Sequence, residues 1–568
     1  MVQIHTYARQ GNIQGVVKEI AKGVDVDCVD RNNPQTPLML AVQSQNANLD
    51  LICLLIENGA DINAIEAEFQ TPVLGLAVKS GNLAKIKYLL DSGAKIDYQR
   101  PHGYDVLIDA MHGRDIVQDS ELISLLKLLL DRGAKVDGIS SYGETALRVA
   151  SRLGRFDAVD LLLKSGCDRQ QLAWTPLMFA IALGKPQDVK NLLNKGANLE
   201  ARDYWQRTPW LLSIQAGDLA KAKLILASGA NRSDRGICGK TPLMYAVENR
   251  QVSVLQWLIE QGFDIEATNE FAETPLMLAA EVGATECFRI LLETGADISK
   301  TDHIDEKVIT QASNLSIVSM LIAAGEDLND INEEMRKELT GVSIDELEVT
   351  EEQYLQGKHR RFGTTNPELM DLDFWQGMIR WGKTAWHAKQ IFDDTSNDDE
   401  PVWCYDRFGR TITQLPDGRI VEIAGEHEDY YDPDFCIYND VVVYDGQGSF
   451  KILGYPRDVF PPTDFHTATL VGKYIYIIGN LGYISDRISD HTPVYKLDWQ
   501  SFQIETVATM GTNPGWISKH QAIYHQPSNT IQITGGKVWL ENNRKAEYID
   551  NYLNYTLDLS SLTWKINQ

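Results

Sequence analysis

Residues 241–264 read TPLMYAVENRQVSVLQWLIEQGFD, and the reading of this stretch decides the fold of the first half of the chain. The Thr241 hydroxyl can cap a helix N-terminus. Pro242 suits the first helical position, where no backbone N–H partner is needed. Leu243, Met244, Ala246 and Val247 follow at helical spacing. A second apolar run, Val254, Leu255, Leu258 and Ile259, repeats that spacing, and Gly262 closes it. Glycine reaches left-handed backbone at low cost, so it ends helices. Such a hairpin of helices has an apolar face that it cannot bury alone, so units of this kind must stack.

The signature recurs as Thr36-Pro37-Leu38, Thr71-Pro72-Val73, Thr145-Ala146-Leu147, Thr175-Pro176-Leu177, Thr208-Pro209-Trp210 and Thr274-Pro275-Leu276. The copies at 175, 208, 241 and 274 start 33 residues apart. Closing glycines stand at Gly23, Gly59, Gly93, Gly133, Gly166, Gly196, Gly229, Gly262, Gly295 and Gly325. Period, opening and closing motifs together resemble the ankyrin repeat. Nine or ten units cover residues 1–330, an α-solenoid. The third unit opens with Gly103-Tyr104-Asp105-Val106-Leu107, and the stretch Asp109–Ser120 is expected to hold an insertion between its helices. Residues 297–327 read as a degenerate cap.

The ankyrin resemblance implies protein binding through the concave surface and the projecting turn tips. Several tips carry an aromatic residue: Phe69, Tyr142, Trp174, Tyr204, Trp205 and Phe271. Tyr142, Trp205 and Phe271 each lie three residues before the motif position and so mark equivalent points along one edge. Aromatics among polar groups make good interface anchors. They are therefore the expected partner-binding residues of the array, although stacking on neighbouring tips would use the same side chains.

From about residue 402 the period changes from helical to alternating. Arg410-Thr411-Ile412, Gly418–Gly425 and Val441–Asp445 align with His466–Thr469, Lys473–Gly479 and Val494–Asp498. They align again with His520-Gln521-Ala522, Thr530–Gly536 and Tyr555–Asp558. Fourth strands follow at Phe502–Ile504 and Trp564–Ile566. This resembles the kelch repeat, a four-stranded propeller blade of ~50 residues. The expected fold is multidomain α + β: a solenoid over 1–330, an acidic linker and amphipathic helical strut over 331–401, and an all-β kelch-like partial propeller over 402–568. Three blades leave open edges, which a hidden blade, the ankyrin cap or a second chain could cover. The last option makes a homodimer an expectation.

The 568 residues carry 53 Lys+Arg against 79 Asp+Glu, a formal net charge of −26. Phosphate affinity comes mostly from Lys and Arg, so the balance speaks against nucleic acid and anionic membranes and for a basic protein partner. The seven cysteines are scattered and form no CxxC pair, and no apolar leader opens the chain, which reads as cytoplasmic. Residues 372–392 place Phe374, Trp375, Met378 and Ile379 at helical spacing and read as a packing strut, not a membrane helix.

Val421–Asp440 holds seven acids and no Lys or Arg. Glu426, Glu428, Asp429, Asp432 and Asp434 are read as an acidic docking surface. An enzyme reading would instead combine His427 and His466 with Asp429, Asp432 and Asp434 as a hard-metal or acid–base site. The spacing matches neither an EF-hand nor HExxH, so no catalytic residue, metal or cofactor is expected. The function expected is capture of a partner. Similarity to bacterial ankyrin proteins, some of which are immunity proteins, implies an inhibitor.

Overall fold

The computed structural model describes residues 3–29, 34–113, 118–342, 347–394, 400–428, 435–542 and 545–567. The chain forms two compact units, Met1–Asp297 with Thr301–Ile304, and Ile298–Lys300 with Asp305–Gln568.

The first unit is a series of helix pairs, from Gln3–Gln10 with Ile13–Ala21 to Pro275–Glu281 with Thr285–Glu293. Most motif threonines cap as their chemistry requires, whereas the helix Val73–Ser80 has Pro72 at its N-cap and no side-chain cap. Thr145, Thr241 and Thr274 accept the backbone N–H of Arg148, Met244 and Met277 at 3.1, 3.3 and 3.2 Å. In the unit that lacks the motif, Asp105 takes over and accepts from Leu107 and Ile108 at 3.0 and 2.9 Å. That unit's helices, Val106–Ala110 and Leu122–Asp131, are separated by residues 111–121, where the insertion was expected. The closing glycines have φ between 73° and 101°. At Gly59, Gly166 and Gly295 an added Cβ would meet open space, so backbone conformation and not crowding demands glycine there.

In the second unit a lone helix, Leu315–Ala323, precedes Glu333–Thr340. Asn332 caps the latter through Met335 N–H at 2.9 Å and donates to the Thr310 and Ala312 carbonyls at 2.9 and 2.7 Å. The strut forms helices Asp373–Trp381 and Ala385–Ile391. Phe374, Trp375, Met378 and Ile379 are buried, and Trp375 stacks on Trp403 at 4.8 Å, so the apolar face is spent on packing.

Three antiparallel four-strand meanders follow. The first runs Thr411–Gln414, Ile420–Ile423, Val441–Tyr444, Phe450–Gly454. The second runs Thr467–Val471, Tyr474–Ile478, Val494–Asp498, Ile504–Thr506. The third runs Gln521–His525, Thr530–Thr534, Asn554–Asp558, Thr563–Asn567. Glu368–Leu369 from the junction adds a fifth strand to the first sheet. The sheets do not close into one barrel.

One core joins the first two sheets through Val421, Ile423, Val441, Ile475, Ile477 and Leu497. A second joins the last two through Tyr476, Ile478, Val494, Ile531, Ile533 and Leu557. The middle sheet is thus apolar on both faces, as a buried layer must be. The far face of the first sheet holds Glu422 and Tyr444, both bonded to residues that include Arg336 of helix Glu333–Thr340 or its partner Tyr405. By strand alternation the far face of the third sheet carries Gln521, Ile523, His525, Gln532, Thr556 and Lys565, nearly all polar. That face asks for no apolar cover, and the expected homodimer through open sheet edges finds no support.

Candidate functional site

Neighbouring turn tips of the first unit are linked by backbone hydrogen bonds. Ser141 N–H reaches His102 O at 2.7 Å, Tyr204 reaches Leu172 at 3.1 Å, and Glu270 reaches Cys238 at 3.0 Å. His303 N–H reaches Phe271 O at 3.0 Å. The edge is therefore held in place before any partner arrives. Phe69, Tyr142 and Phe271 are 62%, 66% and 42% exposed on it. Tyr142 and Phe271 also lie against His102 and His303, with ring centroids 5.3 and 5.4 Å apart, so stiffening and exposure coexist.

The other three aromatics differ. Trp174 is buried, edge-on to Phe179, and its indole donates to Asp203 Oδ2 at 3.2 Å. It has little surface to offer, which corrects its reading as a tip anchor. Trp205 donates to Arg148 O at 2.9 Å, and the Arg148 guanidinium lies 3.8 Å over the Tyr204 ring. Both rings are half-buried. Sequence reasoning missed Ile65, Ile139, Ile237 and Ile304, exposed in the same turns. Ile65 and Ile139 each stand six residues after a closing glycine, a signal that could have found them.

Behind the tips lies a buried polar network. Arg207 and Asp203 pair at 2.5 Å, with side chains 1% and 0% exposed. Arg207 also donates to Ser151 O and Oγ at 2.7 and 2.6 Å and to Gln215 Oε1. Gln215 in turn donates to Arg152 O at 2.7 Å. The network spans several successive repeats, so it fixes the angle at which the tips project.

In the second unit the connections 424–440, 479–493 and 535–553 all leave the sheets at one end, because each joins the second strand of a meander to the third. Not every acid between Val421 and Asp440 is free to dock. Glu422 is paired with Arg336 at 3.2 Å, and Asp440 is buried with Arg407, which lies 3.6 Å over the Tyr438 ring. Glu428 is exposed and Glu426 half-buried, while Asp429, Asp432 and Asp434 lie outside the described residues.

Glu426 faces the fully buried Asp464, whose Oδ1 accepts the Gly482 N–H at 2.6 Å. Burial, then the Asp464 carboxylate, pushes the Glu426 carboxyl up to about 7 from its ordinary 4.5. The folded protein keeps a proton that the unfolded chain has released, so this pair favours folding most below about pH 4.5. Its contribution is lost as the pH rises to about 7. Glu426→Gln is expected to remove that decline, gaining on the order of 1 kcal/mol over the native chain between pH 5 and pH 8 in urea unfolding.

The histidines bond to different partners among the described residues. His427 bonds through Nδ1 to Asp406 O at 2.8 Å. His466 Nε2 bonds to Thr411 Oγ1 at 2.8 Å, and His520 Nε2 repeats the link to Thr467 Oγ1 at 3.0 Å. Burial pushes His466 and His520 down to about 3, so both are neutral wedges between successive sheets. Among the described residues, no group of three or more His, Cys, Asp or Glu could hold a metal ion.

Comparison with known proteins agrees with the helical half. The family described as ankyrin repeats matches in three copies, over residues 4–100, 115–203 and 210–302. The palmitoyltransferase AKR1 of Lachancea kluyveri is 27% identical over 212 residues, 36% of this chain and 27% of that protein. The ankyrin repeat protein nuc-2 of Neurospora crassa is 29% identical over 204 residues, 34% of this chain and 18% of that protein. The ankyrin repeat and SAM domain-containing protein 6 of Rattus norvegicus is 37% identical over 120 residues, 21% of this chain and 13% of that protein. The chain thus spans about a quarter or less of these relatives' own lengths. Among the described residues no helix is long and apolar enough to cross a membrane. Residues 4–302 are an array of ankyrin repeats, and a sheet-rich region follows them.

Proposed function

We propose that this is a non-catalytic binding protein that captures a basic protein partner on the ankyrin tips and concave face, aided by the acidic loop end of its sheets. The single observation behind this is the row of apolar side chains standing in water along one rigid edge: Ile65, Phe69, Ile139, Tyr142, Phe271 and Ile304. A soluble stack has no need of them, and clustered exposed apolar side chains mark interfaces. The charge of −26 favours a basic partner. Cytoplasmic residence accords with seven free cysteines.

The sheet-rich region is read as kelch-like on its three successive meanders and on the Thr–His link repeated between their first strands. The transferase activity in the name of the Lachancea relative is not carried over, because the match runs through repeats. The immunity-type role gains nothing from the relatives. The enzyme reading has less behind it, since His427 bonds to Asp406 O and His466 to Thr411 Oγ1, two different partners.

Co-purification from the native host with mass spectrometry identifies the partner, and calorimetry then tests the reading. Tyr142→Ala and Phe271→Ala are each expected to weaken binding about tenfold, and salt to weaken it further. Affinity indifferent to both variants and to salt would sink the proposal.

A further inference from the structure

The connection 535–553 is not a plain loop. Lys537–Asn542 and Lys545–Asp550 form a hairpin, and Trp516–Ser518 pairs with its first strand. The spatial order leaves Lys545–Asp550 at the edge of this small sheet, and among the described residues no strand pairs its outer side. Edge strands are usually blunted by proline, by bulges or by a covering segment. Charge at Glu547 and Asp550 guards this one, but among the described residues it has no proline, bulge or covering segment, and Glu547, Tyr548, Ile549 and Asp550 are all exposed. Because side chains alternate between faces, Tyr548 and Ile549 expose apolar surface on both sides of the hairpin.

The apolar surface continues past the strand. Tyr552 is 87% and Leu553 48% exposed. The Arg487 guanidinium lies 5.1 Å over the Tyr548 ring and donates to the Leu481 and Gly482 carbonyls at 2.9 and 2.8 Å. It therefore joins the hairpin to the connection that bears Ile484 and Ile488, 73% and 58% exposed. Tyr483 of that connection meets Phe435 at 5.7 Å. Three connections thus share one apolar surface beside an open strand edge, which carries the exposed carboxylate of Glu547.

We infer that the edge strand Lys545–Asp550 takes up an extended segment of a protein partner, one that alternates basic and apolar side chains, as an added β-strand. Backbone groups of the open edge supply the hydrogen bonds, Tyr548 and Ile484 the apolar contacts on one face, and Glu547 the charge complement on the other. The inference rests on the reading of the chain as a binder of protein partners.

The probe is an acetylated, amidated Lys-Val-Lys-Val-Lys-Val-Lys-Val peptide titrated into the full-length chain. Two further peptides carry backbone N-methyl groups on the lysines only or on the valines only. Strand addition uses the N–H groups of one edge, so one methylated peptide is expected to bind at least tenfold more weakly and the other to bind nearly as the parent. The surface variant Tyr552→Ser with Ile484→Ser, which leaves the backbone intact, is expected to weaken the parent at least fivefold. Equal binding of all three peptides, meaning charge alone, would overturn the inference. So would a loss caused by Tyr142→Ala and Phe271→Ala in place of the loop variants, although the proposed function would survive that result.

Discussion

Replacing Arg207 by alanine is expected to lower the stability of the repeat array by about 3–5 kcal/mol, seen as an early fall of the helical signal in urea. The magnitude follows from what remains. Asp203 is fully buried, and its carboxylate would keep only neutral donors: the Trp174 indole at 3.2 Å and the Trp205 N–H at 3.0 Å among them. Ser151 and Gln215 would lose their shared donor as well. An uncompensated buried charge costs far more than the pair contributes over an apolar substitute. Hence the double variant Arg207→Leu with Asp203→Leu is expected to recover at least half of the loss. If Arg207→Ala costs under about 1 kcal/mol, the network does not brace the array.

The second large effect is expected at Arg336. Its side chain is 6% exposed, beside Glu422 at 4%, and Glu422 Oε2 accepts from Tyr405 and Tyr444 at 2.8 and 3.1 Å. Arg336 donates also to Glu333 at 2.9 Å and to the Tyr405 hydroxyl. Arg336→Ala leaves Glu422 charged under the first sheet with only phenols for partners, at a cost of about 3 kcal/mol. Hydrogen exchange should quicken in Glu333–Thr340, Ile420–Ile423 and Val441–Tyr444 while the helices of the first unit keep their protection. Unchanged exchange in Glu333–Thr340 would show that the helix does not depend on this pair.

These residues also mark the limit of what the sequence discloses. The repeats were legible because one local device, a hydroxyl cap before proline and a glycine after the second helix, acts within a single unit. Even the departure at Asp105 is local, and its role as a cap could be read from side-chain chemistry. The meander strands were legible from alternation. Burial of charge is different, since it depends on partners far along the chain. Glu422 gave no sign of a buried pair because Arg336 lies 86 residues away, and Trp174 looked like a tip because Asp203 comes 29 residues later. Ile65 and Ile139 misled in the other direction, since an aliphatic side chain says nothing by itself of whether it faces core or water. The short strand Glu368–Leu369 was hidden because two residues carry no period.

The far face of the third sheet has a consequence for how such a chain could lengthen. A sheet array grows by duplication only where a newborn sheet finds an oily neighbour. Gln521, Gln532, Thr556 and Lys565 deny it one at the C-terminal end, and the buried charges over the first sheet deny it at the other. New sheets could be inserted only in the interior, where His466 and His520 repeat the same link and a further copy would fit the register. The region is in effect a sentence with a full stop at each end, and this guards it against polymerising sheet upon sheet.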